Sequence, residues 1–140
     1  MRYVKKAVNL TKGLSMTEEI FLHKNLTESL IAAAMEVHTK LGHGFLESVY
    51  EAAMAVELDL RKIPYEQQKP LPVFYKGKKL KDFVCDFLFD QKVLLELKAM
   101  KNMSSAEEAQ VLNYLKAGGL KVGLLLNFGE PSLKIRRFVL

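Results

Sequence analysis

Three stretches of the chain carry apolar residues three or four positions apart, the spacing that predicts amphipathic helices. The first opens at Asn25, where Asn25 or Thr27 can act as the N-cap, and closes at Gly42, which suits a helix C-terminus. The second covers residues 46–62 and the third covers residues 104–116, where a serine followed by a glutamate predicts a capping box. The residues of the second helix expected to face the core are Val49, Ala53, Val56 and Leu60.

Five other stretches are rich in branched and aromatic residues and predict β-strands. Pro70 and Pro72 place the first of them at an edge of the sheet. The continuous apolar run over residues 121–128 is typical of a strand buried on both faces, whereas residues 133–140 are expected to form an edge strand. The resulting order, α, α, β, β, β, α, β, β, indicates an α/β sandwich about a mixed sheet. The five predicted strands are residues 65–75, 79–89, 93–99, 121–128 and 133–140.

The second and third strands are separated by a polar trio, residues 90–92, and therefore predict a β-hairpin. If the trio is the loop, counting back along both strands places Asp86 opposite Glu96, with Lys98 on the face of Glu96. A loop of another length would change this register. The residues expected to line the opposite face are Cys85, Phe87, Phe89, Val93, Leu95 and Leu97.

Two opposed carboxylates within apolar strands need compensation, because burial and mutual repulsion both disfavour their charged forms. The compensating group must be Lys98, a shared proton or a cation, and a plain salt bridge with Lys98 stays open. Carboxylate oxygens suit Mg²⁺ or Mn²⁺, which can lower the pKa of a bound water and neutralise charge on a phosphate. Lys98 could then orient that water or hold the anion.

Two further polar pairs lie on predicted helices. Glu47 and Tyr50 share a face of the second helix, and Gln110 and Tyr114 are one turn apart on the third. Each has a simpler interpretation: Glu47 as a favourable charge at a helix N-terminus, and the tyrosines as core aromatics. His38 on the first helix is interpreted as a hydrogen-bonded core histidine rather than a ligand.

Length and composition limit the class of protein. A chain of 140 residues predicts one domain, residues 25–140, preceded by an arm or extension over residues 1–24, where no clear periodicity is found. The single cysteine, Cys85, suits a reducing compartment, and no signal peptide or membrane span is expected, so a cytoplasmic location is predicted.

The net charge of +5 favours polyanionic partners only weakly. Lysines crowd the turn between the first two strands, where they could contact phosphate or, equally, keep an edge strand from aggregating. These lysines are Lys76, Lys78, Lys79 and Lys81.

Three ordered motifs resemble those of a known family. Residues 44–50 match the signature GxxExxY, Asp86 followed by residues 96–98 resembles the D…ExK core of the PD-(D/E)XK nuclease superfamily, and residues 110–115 match its QxxxY element. The chain is identified on these residues as a member of the GxxExxY family within that superfamily. One departure is Cys85, which stands where the superfamily has proline before the aspartate.

The resemblance implies a restriction-endonuclease-like fold with a metal-dependent active site. Asp86 and Glu96 would ligate Mg²⁺ or Mn²⁺, and Lys98 would assist the water nucleophile. Glu47 would be a further ligand or an outer-shell partner. The side chains expected to hold the lysine or the substrate phosphate are Gln110 and Tyr114. Asp82 and Asp90 are rivals for the place of Asp86, but one is farther along the strand and the other is in the turn; they are set aside for that reason.

The expected function is hydrolysis of phosphodiester bonds in nucleic acid, DNA more than RNA, by metal-activated water. The alternatives are a catalytically silent module that binds nucleic acid or a protein partner, and a structural subunit of an oligomer. A homodimer would suit the cutting of two strands, and a protein partner could supply recognition. If the site is right, Glu47, Tyr50, Gln110 and Tyr114 must pack over the sheet face of Asp86.

Overall fold

A mixed β-sheet forms the centre of the protein, and helices cover both of its faces. The computed structural model describes residues 2–5, 15, 16, 18 and 22–140. In chain order the elements are β1 (Arg2–Lys5), α1 (Lys24–Leu41), α2 (Glu47–Leu60), β2 (Glu66–Tyr75), β3 (Lys78–Phe89), β4 (Val93–Lys98), α3 (Ser105–Gly118), β5 (Val122–Asn127) and β6 (Lys134–Val139). Within the described residues the sheet order is β1-β6-β5-β4-β3-β2, with β1 parallel to β6 and β4 parallel to β5.

The two faces of the sheet bury separate cores. Leu30 of α1 and Met54 of α2 pack with Phe87 and Leu124 on one face. On the other face, α3 packs with the alternate residues of the same strands, including Leu94 and Leu125. Three layers result, helices α1 and α2, the sheet, and helix α3. The α/β sandwich is therefore confirmed, and so is the predicted order of elements from α1 onward, to which β1 is an addition.

The caps of the helices follow the sequence only in part. Ser104 caps α3 in a capping box with Glu107, and Gly42 ends α1 with a φ of 69°, both as predicted. The predicted N-cap of α1 is wrong, because the helix begins one residue before Asn25, and His23 precedes it with a φ of 57° and no side-chain cap. Thr27 instead lies inside the first turn.

The predicted core stripe of α2 is wrong for Val49, Val56 and Leu60, whereas Ala53 does pack against the core. Val56 is 60% exposed and Leu60 is 72% exposed, whereas Tyr50, Met54 and Leu58 are fully buried. Both sets have helical spacing, so periodicity alone could not choose between them. The face with Tyr50, Met54 and Leu58 is the buried one because it carries the larger side chains. The hydroxyl of Tyr50 also has hydrogen-bond partners there.

The C-terminal strand is not at an edge, contrary to expectation. Residues Arg2–Lys5 pair in parallel with β6, in the register Arg2 with Arg136 to Lys5 with Val139. The opposite end of the sheet is β2, as its prolines predicted. Apart from β1, most of the N-terminal arm or extension predicted over residues 1–24 lies outside the described residues, and its division from the domain stays a prediction.

A polar junction fixes the end of β4 against the loop after β5. The Asn127 amide accepts from Met100 N at 3.0 Å, donates to Met100 O at 2.8 Å, and donates to Glu130 Oε2 at 2.9 Å. His38 also bonds this loop, at 2.9 Å from Glu130 O, which confirms it as a hydrogen-bonded core residue. A Cβ at Gly129 would collide with the Met100 backbone. The junction therefore holds rigid the segment that follows β4.

No helix among the described residues has both the length and the apolar character needed to cross a membrane.

Candidate active site

Strands β3 and β4 separate where the two predicted acids meet. Their backbone pairing runs from Phe89 with Val93 to Phe87 with Leu95, the register expected from the turn. Beyond this pairing, side-chain carboxylates accept the hydrogen bonds of the backbone N–H groups. The N–H of Asp86 donates to Glu96 Oε1 at 2.7 Å, and the N–H of Leu97 donates to Asp86 Oδ2 at 2.8 Å. Each carboxyl therefore replaces a backbone acceptor of the opposite strand.

The acids lie at a break in the alternation of β3. Glu96 alternates with Leu95 and Leu97, which face α1 and α2, so it faces α3. Cys85 packs with the α3 core although Phe87 packs with the other, which makes the expectation that they share a face wrong. The reason lies at residue 86, where the opposing Gln68 has a φ of 52° and interrupts the regular pleat.

Burial and mutual repulsion disfavour a double negative charge at this site. Burial, and after it the charge of Asp86, raises the pKa of Glu96 to about 8, against the opposing hydrogen bond from the Asp86 N–H. Burial, followed by the charges of Glu51 and Glu47, raises the pKa of Asp86 to about 6, against the hydrogen bond from Leu97. Near neutral pH the pair therefore holds one proton and one negative charge.

The neighbouring thiol does not share this chemistry. Burial, and then the charges of Glu96 and Asp86, raises the pKa of Cys85 to about 12. The thiol is fully buried and stays protonated at physiological pH. Cys85 is therefore a packing residue beside the site and not a nucleophile.

Helix α2 adds an acidic rim that includes a residue the sequence reasoning missed. Glu47 stands exposed in its first turn, and Glu51 follows one turn later. The amides of Gln67 and Gln68 donate to the Glu51 carboxylate at 2.7 and 2.8 Å, and Gln68 also donates to Asp86 Oδ1 at 3.2 Å. The spacing of Glu47 and Glu51 could have revealed this acid, but nothing in the strand pattern indicated the kink at Gln68.

Helix α3 brings Gln110 and Tyr114 to the same face as Glu96. Burial, and then the charges of Glu96 and Asp86, raises the pKa of Tyr114, while a hydrogen bond with Gln110 opposes that shift. Gln110 Oε1 is buried and accepts no hydrogen bond. Buried acceptors are nearly always paired, so an unpaired one is unusual. The Gln110 Oε1 atom is therefore available to accept a hydrogen bond from a donor at the site.

Glu47 and Tyr50 lie on α2, which covers the opposite face of the sheet from α3, so the expectation that they pack over one face with Gln110 and Tyr114 is wrong. Tyr50 points into the core on its own side of the sheet. Its ring is fully buried between α2 and the sheet, 4.8 Å from the ring of Phe128. Its hydroxyl donates to Gly42 O at 2.7 Å and accepts from Phe45 N at 3.3 Å. Tyr50 therefore fastens the loop between α1 and α2, which in turn sets the start of α2 and the position of Glu47.

Replacing Tyr50 by phenylalanine is expected to lower the free energy of unfolding by about 1 kcal/mol, because two hydrogen bonds of its buried side chain to partly buried backbone groups are lost. Urea unfolding at pH 7 measures the change. Tyr75→Phe is the matched control, since Tyr75 is 60% exposed and should change stability by less than about 0.5 kcal/mol. Equal effects of the two substitutions would contradict the role given to Tyr50.

Lys98 lies at the end of β4, two residues beyond Glu96 and therefore on the same face of the strand. Within residues 22–140 it forms no ion pair, although its charge lowers the pKa of Glu96 in opposition to burial. The interpretation of Asp86, Glu96 and Lys98 as a closed salt bridge therefore finds no support in the geometry. A proton or a cation remains as the compensating group.

The donor set fits a small hard divalent ion. Asp86 and Glu96 offer carboxylate oxygens from adjacent strands, and their raised pKa values indicate that added positive charge would be favourable there. Mg²⁺ is commonly held by one or two carboxylates with water and substrate phosphate completing its shell. Across the described part of the chain no three His, Cys, Asp or Glu side chains form a complete metal cluster.

Comparison with known proteins agrees with this geometry. A family model described as the PD-(D/E)XK nuclease superfamily matches residues 24–138, which include all three helices and strands β2 to β5. Searches of curated proteins and of solved structures gave no significant match. The matched region contains both acids and Lys98, and its mixed sheet and helical layers are consistent with the restriction-endonuclease-like fold.

Proposed function

This chain belongs to the PD-(D/E)XK nuclease superfamily, and we propose from that premise that it is a metal-dependent nuclease. In the proposed reaction, water attacks a backbone phosphate of nucleic acid, DNA in preference to RNA, and the P–O bond to the leaving oxygen breaks. The observation that carries the proposal is the pair of acids at the separation of β3 and β4, with Glu96 buried and Asp86 half-buried. The residues 44–50 motif supports a finer assignment to the GxxExxY family.

Asp86 and Glu96 would hold Mg²⁺ or Mn²⁺, with Glu47 as a further or outer ligand, and the bound ion would lower the pKa of water and neutralise charge on the phosphate. Protonated Glu96 must release its proton before it can act as a ligand. The raised pKa of this carboxyl therefore links ion binding to pH.

Lys98 would position the attacking water and stabilise the charge that builds on the phosphate. Its ammonium carries three donors and has no carboxylate partner within residues 22–140, so it is available to substrate. Gln110 Oε1, a buried acceptor without a donor, could receive one of those N–H groups and fix the direction of the side chain. Tyr114 would hold Gln110 in place or contact the phosphate.

The proposal is tested by incubating the purified protein with labelled DNA and RNA in Mg²⁺, in Mn²⁺ and in EDTA. Cleavage is expected only with a divalent ion, and Lys98→Met should lower it at least about tenfold. Lys101→Met is the control, because Lys101 is an exposed lysine three residues further on. Cleavage in EDTA, or equal cleavage by both variants, would contradict the proposal. Absence of cleavage with retained binding would favour a silent binding module.

A further inference from the structure

The hairpin of β2 and β3 extends well beyond the rest of the sheet. β3 pairs with β4 only over Phe87–Phe89, whereas β2 and β3 remain paired from Glu66 with Leu88 to Tyr75 with Lys78. Past the carboxylates, the hairpin is therefore a two-stranded ribbon, with α3 packed near its base. Its outer half is free of a third strand within the described residues.

Large apolar side chains are exposed on this ribbon. Phe74 and Tyr75 are each 60% exposed, and Leu80 is 64% exposed. The pairing slips by one residue between Val73 and Phe74, which leaves Leu80 as the extra residue of a β-bulge. A cluster of exposed aromatic and aliphatic side chains at one end of a protein is unfavourable in water and marks a binding surface.

The same surface is strongly basic. Four lysines of the hairpin, Lys76, Lys78, Lys79 and Lys81, are exposed, and Lys116 of α3 stands opposite them. Among them, and counting partners within residues 22–140, only Lys79 pairs with an acid, Asp82, at 2.8 Å. Lys76 lies 5.3 Å from the centre of the Tyr75 ring, and Lys81 lies 5.5 Å from that of Phe83. Aromatic faces interleaved with cations suit a polyanion that also presents flat rings.

A groove forms part of this surface. It has a volume of about 690 Å³ and lies between the hairpin and α3, lined by Val73, Phe74, Leu80, Lys81, Phe83 and Lys116. The Phe83 ring at its inner end is 5.1 Å from the ring of Tyr114. Tyr114 lies close enough to Asp86 and Glu96 to feel both of their charges. A polyanionic chain bound in the groove would therefore run toward Asp86 and Glu96.

We propose that this groove, together with the exposed hairpin beside it, binds single-stranded nucleic acid, whose bases stack on Phe74 in the groove and on Tyr75 next to it in β2 while the lysines contact its phosphates. The inference rests on the proposed function, which supplies the active site toward which the bound nucleic acid runs. The selectivity for single strands follows from the stacking surfaces, because the faces of bases inside a duplex are already covered by their neighbours. An isolated base face can reach an exposed ring on a narrow ribbon, whereas a paired base cannot.

The experiment measures fluorescence anisotropy of a labelled 20-nucleotide single strand and of the duplex of the same sequence, with the full chain in EDTA. EDTA prevents turnover, so binding is read separately from cleavage. The single strand is expected to bind at least about tenfold more tightly than the duplex, and the double substitution Phe74→Ala with Tyr75→Ala should weaken single-strand binding at least about tenfold. Lys78→Ala should remove one phosphate contact, so the negative slope of log affinity against log salt concentration should become shallower by about 0.7.

Matched controls come from α1 and α2, the helical layer on the other face of the sheet from α3. Leu60→Ala removes an equally exposed apolar side chain on α2, and Lys40→Ala removes an exposed lysine on α1. Both should leave binding unchanged. Thermal unfolding of every variant verifies the fold, and the hairpin substitutions should melt close to the wild-type temperature because the replaced side chains are exposed.

Equal binding by the double variant and the wild type, or equal affinity for duplex and single strand, would overturn the inference. So would binding of anionic phospholipid vesicles through the same residues without any oligonucleotide binding. The two proposals fail separately. Single-strand binding through the hairpin without cleavage in Mg²⁺ or Mn²⁺ would overturn the proposed function alone, and cleavage unaffected by the hairpin substitutions would overturn the groove alone.

Discussion

Asp86→Asn is expected to lower phosphodiester cleavage by roughly 100- to 1,000-fold, because it removes a negative charge from the position where two strands present oxygens to a cation. The amide keeps an oxygen that can accept from Leu97 N, so the strand junction survives. Single-turnover cleavage with saturating Mg²⁺ measures the loss.

The fold should tolerate the same substitution when metal is absent. The half-buried Asp86 carboxylate faces the charges of Glu51 and Glu47, and its raised pKa indicates that the charged form is unfavourable there. In EDTA, Asp86→Asn should therefore leave the free energy of unfolding unchanged or raise it by up to about 1 kcal/mol. A loss above about 2 kcal/mol would mark Asp86 as a structural partner instead.

Asp82→Asn is the matched control for both measurements. Asp82 lies on the same strand, but its side chain is exposed and pairs with Lys79 on the surface. The substitution should leave cleavage within about twofold of wild type, and a surface pair of this kind contributes at most about 1 kcal/mol to stability. Similar losses of cleavage at positions 82 and 86 would contradict the assignment of Asp86 to the site.

Glu96→Gln is expected to make the metal-free protein more stable at pH 8.5 but not at pH 5. The pKa of Glu96 is raised to about 8 in the folded protein from 4.5, so the folded state binds the proton more tightly than the unfolded state does. Between those values the unfolding free energy of the wild type falls as pH rises. Asp86 acts in the same direction between 3.8 and about 6. Stability present at low pH is therefore lost as the carboxyls ionise.

The glutamine variant cannot ionise and should escape the part of this loss that belongs to Glu96. Its oxygen can still accept from Asp86 N, so the comparison isolates the charge. At pH 8.5 in EDTA it should exceed the wild type by on the order of 2 kcal/mol or more, measured by urea unfolding at pH 5, 6, 7 and 8.5. Added Mg²⁺ should stabilise the wild type at pH 8.5 and the variant much less.

Glu28→Gln supplies the control, because Glu28 is an exposed glutamate whose only ion pair in the described residues is a surface one with Lys24 at 3.7 Å. Its stability curve should run parallel to that of the wild type. A Glu96→Gln curve that also ran parallel would show that the carboxyl is not held in its protonated form.

The register of the central hairpin could be predicted because a short polar turn fixes both strands. Residues 90–92 set the pairing of Phe89 with Val93, and the same register continues to Phe87 with Leu95, next to the two acids. The prediction failed for Cys85, where the kink opposite Asp86 depends on the backbone of Gln68, a residue distant in sequence. Local patterns do not encode a distortion imposed by a neighbouring strand.

Helix α2 and strand β1 mark two other limits of prediction. α2 has apolar residues on two faces, and the choice between Val56 and Met54 as a core residue depends on what the sheet and the preceding loop present to the helix. β1 is only four residues long, and its pairing with β6 joins opposite ends of the chain. Contacts of this kind leave no periodic signal. Glu51 was missed because its partners, Gln67 and Gln68, belong to a strand.

The hydrogen bonds between the two acids and the opposite strands restrict how this protein could lose catalysis during evolution. An alanine in place of Asp86 or Glu96 would leave a partly buried N–H, of Leu97 or of Asp86, without its acceptor. An asparagine or glutamine removes the charge and keeps the acceptor. Relatives that keep the fold but only bind nucleic acid are therefore expected to have asparagine or glutamine at these positions. Selection in such relatives would act on the hairpin surface.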